Sequence, residues 1–169
     1  VSTGPASVMF EIGDSLNYSP VSLQFGNVAN GGNLTAKAIA GDHPEIGSSA
    51  IEETKSVNRY WSLKNNGIIY DSCNAIFNFI PADLDINADT ASLIVQQYDS
   101  TSWSTPEVGM RTSTSVQVND LTNFGDFATG NIKTFTILAT SDSNGQISPS
   151  GSVIVNYKSN QTFIITPNT

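Results

Sequence analysis

The chain has 169 residues, 13% of them charged, and seven Lys and Arg against fifteen Asp and Glu leave a formal net charge of −8 with a pI near 4.3. That length suits one large domain or one domain plus a fragment, and so negative a chain repels a phosphate backbone, so nucleic acid is excluded as a partner. With one Cys, Cys73, and one His, His43, neither an internal disulfide nor a Cys/His zinc site can be built, and the short apolar runs predict no membrane insertion through a spanning helix.

Ser, Thr and Asn supply about a third of the residues, while charge is about half of what is usual in soluble domains. Residues 1–10 lack the basic start and apolar stretch of a signal peptide. Together these point to a mature or excised segment that works outside the cell, secreted or at the cell surface.

In chain order, apolar residues recur with period two, and no stretch sustains the i, i+3, i+4 pattern of an amphipathic helix. Val8, Phe10 and Ile12 share one face, and so do Val21, Leu23 and Phe25. The connection from Gly41 to Asn58 is long, and Ser49 ahead of Glu52 and Glu53 forms a weak capping box for one short helical turn. Trp61 and Leu63 point together; farther on, Phe77 and Phe79 oppose Ile76 and Ile80. "SLIVQQYDSTSWS" reads as a hairpin turning over Asp99 to Ser102, which brings Tyr98 within cross-strand reach of Trp103. With "TSVQV" and "FGDFATG" these runs give seven or eight strands, and the fold class is all-β, an Ig-like β-sandwich over residues 1–130.

Residues 131–169 form a separate short β-hairpin or three-stranded extension. Phe135, Ile137 and Ala139 line one face, and a closing hairpin sets Val153, Val155 and Tyr157 opposite Phe163 and Ile165. So few strands can hide one face only against something else. Those five residues of the closing hairpin are therefore the expected assembly interface, completed in cis or by another copy of the chain.

Two resemblances attach to these stretches. The run "NGQISPSGSVIVNYKSNQTFIITPNT", with Gly145, Ser148, Pro149, Gly151 and the "VNY" of Val155 to Tyr157, resembles the first half of a short β-repeat found in tandem near the ends of bacterial secreted and surface proteins. That family continues with a Gly-Tyr and further strands, whereas this sequence stops at Thr169. The segments "SVNRYWSLKNNG", "FNFIPADLD", "IVQQYDSTSWS" and "LTNFGDFATG" are similar to β-sandwich modules of large secreted proteins of the Bacteroidetes. That similarity implies an extracellular building block of adhesins, fibres or multi-domain surface proteins, and it carries over no catalytic residue.

Several constellations bear on chemistry. Asp83, Asp85, Asn87 and Asp89 alternate along "DLDINAD", a spacing that can turn oxygens toward calcium, although Ala88 and Ile94 stand where a calcium loop of the EF-hand type needs Gly and Glu. The alternative is a solvated loop with Asp and Asn closing turns. His43 is the one available general base, yet no Ser sits in a nucleophile elbow, Cys73 lies in an apolar run, and Glu52, Glu53 and Asp71 do not form an evident glycosidase pair. The chain is therefore not expected to be an enzyme. Trp61, Tyr98 and Trp103 could form a platform for carbohydrate, although core packing explains them as well. Ser15 in "DSL" and Thr90 in "DTA" match the Asp-Ser/Thr-apolar pattern of O-glycosylation in Bacteroidetes. The resulting expectation is a non-catalytic extracellular module, a subunit or repeat of a surface filament or adhesin that self-associates head to tail through strand contacts, with a carbohydrate-binding module as the alternative.

Overall fold

The structure, a computed structural model, describes residues 1–168, and the chain divides into two compact units, Val1–Asn131 and Ile132–Thr169. The first unit opens with β1 (Gly4–Phe10), β2 (Val21–Asn30), β3 (Asn33–Ala40), β4 (Ile51–Asn66), β5 (Ile69–Tyr70) and β6 (Cys73–Asn78). It continues with β7 (Ile94–Tyr98), β8 (Trp103–Ser104), β9 (Val108–Arg111), β10 (Ser115–Leu121) and β11 (Asp126–Ile132). Helical structure among the described residues is limited to 3-10 turns at Ile46–Ser48, Pro81–Asp83 and Thr90–Ser92.

One sheet runs β1-β2-β6-β10-β9, with β5 attached to β2; the other runs β3-β4-β11-β7-β8. The alternation that predicts strands also decides which face each strand buries. Val21, Leu23 and Phe25 of β2, Cys73, Ala75 and Phe77 of β6, and Val116 and Val118 of β10 are buried, while Ser22, Gln24 and Ile76 face outward. From the second sheet Trp61, Leu63, Val95 and Phe127 meet them in one cluster. Phe77 stands between the layers, its ring 5.1 Å from Trp61 and 4.9 Å from Phe127. Each such side chain contributes about 1.5 to 3 kcal/mol when removed from water. The protein is thus an all-β sandwich, and the Ig-like expectation holds at the level of two packed antiparallel layers.

Two local expectations fail. The connection after β3 is shorter than expected, because β4 starts at Ile51 and continues for 16 residues. Glu52 to Lys55 interrupt its apolar alternation and conceal the strand, but Ile51 and Val57 are buried on either side of them. Ser49 also does not open a helical turn. It follows the 3-10 turn Ile46–Ser48, where its hydroxyl donates to the Ile46 carbonyl at 2.7 Å and accepts the Ile51 amide at 3.0 Å.

The second unit contains β12 (Thr134–Ala139), β13 (Gly145–Ser148), β14 (Gly151–Asn156) and β15 (Ile164–Pro167). Its strands interleave: β12 pairs antiparallel with β14, and β13 with β15. The expected hairpin between the runs at 153–157 and 163–165 is therefore not formed. Matching of apolar faces wins over proximity in the chain, since Phe135 pairs with Val155 and Ile137 with Val153 in register.

Candidate functional site

The segment between β3 and β4 folds over the outer face of the second sheet. Ile46 from its 3-10 turn, with Ile51 and Ala128, forms a small buried cluster against Tyr60, Ile94 and Trp103. His43 sits beside this cluster, 5% exposed, with the rings of Tyr60, Tyr98 and Trp103 edge-on at 4.9, 5.1 and 4.9 Å. Its Nδ1 accepts the Glu45 amide at 3.1 Å, and its Nε2 lies 3.2 Å from Asp126 Oδ2. A ring that accepts at Nδ1 carries its neutral-state proton on Nε2 and donates it to Asp126. Trp103 closes the arrangement by donating from Nε1 to the Glu45 carbonyl at 3.0 Å and to Ser48 Oγ at 3.1 Å. Every polar atom of the imidazole thus has a protein partner, which suits a staple better than a general base. Asp126 was not foreseen as its partner, because 83 residues separate the two in the chain.

The three-residue aromatic platform is not present. Tyr98 and Trp103 do pair across the β7–β8 hairpin, with rings 4.9 Å apart. Trp61 is fully buried in the sandwich, its indole N–H donating to the Ser19 carbonyl at 3.3 Å. A strand residue pointing into the core cannot share a surface with residues of the outer face.

The calcium reading is also overturned. Asp83 is almost fully buried and takes two donors of a guanidinium, Arg59 Nε at 2.8 Å and Nη2 at 3.1 Å. Asp85 accepts the Ser56 amide at 2.8 Å and Asn58 Nδ2 at 2.8 Å. Asn87 is exposed, and Asp89 turns back on its own 3-10 turn, taking the Ala91 amide and the Ser92 hydroxyl. The three carboxylates thus have separate partners, and among the described residues no group of three or more His, Cys, Asp or Glu is placed to hold a metal ion. Near Asp85, burial raises the pKa of Asp42, whose Oδ1 accepts the Ser56 hydroxyl at 2.6 Å, and repulsion from Asp85 and Glu53 adds to the rise.

The other candidate reactive groups are dispersed over the first unit. Burial pushes the Cys73 thiol up to about 12, far from the range in which a thiolate forms. Glu52 and Glu53 are successive strand residues and point to opposite faces, while Asp71 holds the Asn27 amide at 2.8 Å. Ser15 is exposed beside Asp14, which accepts the amides of Leu16 and Asn17, both at 2.9 Å; Thr90 is half-buried in the turn that Asp89 closes. In both triplets the Asp has a local structural task.

The second unit presents a different surface. Phe135, Ile137, Leu138, Ile154, Ile164 and Ile165 are all exposed, the last 74% so. Of the expected interface, Val153, Val155, Tyr157 and Phe163 are half-buried and Ile165 is open. Tyr157 lies 6.4 Å from Phe135, with the Lys158 ammonium 5.1 Å from its ring centre. The interface side chains thus divide between the two ribbons, and Leu138 and Ile154, absent from the expected set, face the opposite side of the β12–β14 ribbon.

No family model matches this chain, and neither a curated protein nor a solved structure does. The class is therefore defined by architecture: an all-β sandwich followed by a small two-ribbon β unit.

Proposed function

We propose that the chain is a non-catalytic extracellular structural module, a subunit or repeat of a surface filament or adhesin that joins its neighbours head to tail through strands of the second unit. The observation that carries this reading is the row of exposed apolar side chains on ribbons of only two strands each. A two-stranded ribbon is marginal in water, and its outer strands leave unpaired N–H and C=O groups ready to extend a sheet. Covering Leu138, Ile154, Ile164 and Ile165 contributes about 1.5 to 3 kcal/mol for each side chain fully buried, enough together to offset much of the cost of association. Donor and acceptor surfaces that differ produce an open chain of subunits. The commitment of His43 and Cys73 to packing fits the same reading.

Sedimentation velocity over a hundredfold concentration range, followed by electron microscopy, tests it. Concentration-dependent growth into ordered filaments is expected, with loss of growth in Ile154→Lys and Ile165→Lys. A chain that stays monomeric throughout, or that polymerises equally well with both substitutions, overturns the reading.

A further inference from the structure

The two outer faces of the sandwich differ. The second sheet is covered by the segment around His43 and Ile46, whereas the outer face of the first sheet holds an open groove of about 490 Å³ lined by β1, β2, β6 and β10. Register places its side chains in two cross-strand rows. Ser7, Gln24 and Asn74 stand opposite one another in one row. Met9, Ser22, Ile76 and Gln117 form the other. Four strands span about 14 Å, and rows two residues apart lie about 7 Å from each other. The result is a grid of one wholly polar row beside one in which apolar and polar positions alternate.

None of the lining residues is charged, although the chain carries a net charge of −8. Among the described residues, the side chains of Ser7, Ser22 and Gln24 have no protein hydrogen-bond partner. Asn74 and Gln117 are oriented by the backbone: Asn74 Oδ1 accepts the Asp120 amide at 3.0 Å and Gln117 Oε1 the Met110 amide at 3.2 Å. Each carboxamide is thereby fixed with its NH2 free to donate. Met9 and Ile76 are exposed between these groups and supply C–H contacts.

We propose that this face binds a neutral oligosaccharide lying across the strands. A sugar chain offers hydroxyls in pairs, which amides and serines recognise as donor and acceptor together, and flat C–H patches that rest on aliphatic side chains. Absence of charge from the groove disfavours anionic or cationic ligands. A protein partner fits less well, because interface centres are rich in aromatic residues and Arg and poor in Ser, whereas this lining has two Ser and no aromatic residue or Arg. The proposal concerns the first unit and does not depend on assembly through the second.

The test is side-chain amide NMR on the full chain carrying Ile154→Lys and Ile165→Lys, which removes assembly through the second unit, titrated separately with cellohexaose, xylohexaose, mannohexaose and maltohexaose, with hexagalacturonate as the charged control. At least one neutral probe is expected to shift the NH2 signals of Gln24, Asn74 and Gln117 saturably, with hexagalacturonate inert. Gln24→Ala should weaken binding roughly fivefold to tenfold, the loss of about one neutral hydrogen bond, and Met9→Ala should weaken it as well, while Trp103→Phe leaves it unchanged. No shift with any probe, shifts centred on Tyr98 and Trp103, or unchanged binding in both groove variants overturns the proposal. So does movement of the same signals on simply raising protein concentration, which would assign the face to a second copy.

Discussion

Arg59 is fully buried and grips Asp83 with two parallel hydrogen bonds, from Nε at 2.8 Å and from Nη2 at 3.1 Å, while Nη2 also reaches Asp14 at 2.8 Å. This fork occupies the place in which the acidic spacing suggested a metal, so the cation that answers the segment is the protein's own. Removing one partner strands a buried charge, and Arg59→Ala is expected to cost about 3–5 kcal/mol in urea unfolding. Arg59→Lys recovers part of this, since an ammonium cannot reproduce the planar fork. Calcium in millimolar excess should leave the melting temperature unchanged. A clear upward shift with calcium would restore the metal reading.

The sandwich was legible because its strands bury one face each, so Val21, Leu23, Phe25 and Phe77 announce their direction by alternation. Strand β4 was half hidden because its polar stretch, Glu52 to Lys55, looks like a loop until Ile51 is seen to be buried. The candidate sites were less legible for a consistent reason: they depend on partners remote in the chain. Asp83 meets Arg59 across 24 positions, and His43 meets Asp126 across 83. Local spacing records neither. Trp61 stays open between platform and core in the sequence, because an aromatic strand residue looks the same whether it faces core or solvent. The groove was latent in the same alternation, since naming Leu23 and Ala75 as inward leaves Ser22, Gln24, Asn74 and Ile76 outward.

Acid should weaken the fold in a defined window. The Leu16 amide, followed by Arg59, holds Asp14 at about 2, and the Thr101 hydroxyl with the Ser102 and Thr101 amides holds Asp99 at about 2, both below the ordinary 3.8. A carboxylate with its pKa depressed by folding stabilises the native state above its unfolded value and loses that contribution as pH falls through the folded one. Stability from these two groups is therefore complete at pH 5 and lost between about pH 4 and pH 2. Urea unfolding across that range should show Asp14→Asn and Asp99→Asn less stable than wild type at pH 6, with the gap closing by pH 2. A gap that persists at pH 2 would mean that the carboxylates act by shape alone.

The imidazole of His43 has two separable roles, packing among Tyr60, Tyr98 and Trp103 and bonding to Asp126 and the Glu45 amide. His43→Ala removes both and is expected to cost about 2–4 kcal/mol, as for other deletions of a buried ring. His43→Phe keeps a ring of similar size but leaves the Glu45 amide and Asp126 without a partner, a loss of about 1–3 kcal/mol. Limited proteolysis should detect opening of the 41–50 segment in the Ala variant before the Phe variant. Equal stability of His43→Ala and wild type would show that the segment is held by Ile46 and Trp103 without it.

Gly130 marks where β11 crosses close to the start of β4. A Cβ built there lies 2.5 Å from Ile51 Cγ2, 2.8 Å from Ser56 Cα and 3.0 Å from the Lys55 carbonyl oxygen. The first contact involves a side chain, but the other two are with backbone that hydrogen bonds hold in place, so Gly130→Ala forces the strands apart and is expected to cost about 1–3 kcal/mol. Relief of the side-chain contact alone should not restore stability. In a double-mutant cycle, Gly130→Ala in an Ile51→Ala background is therefore expected to remain less stable than Ile51→Ala by itself. If the double variant matches Ile51→Ala, the obstruction is the isoleucine methyl, and the close approach of the two strand backbones is not what requires glycine at this position.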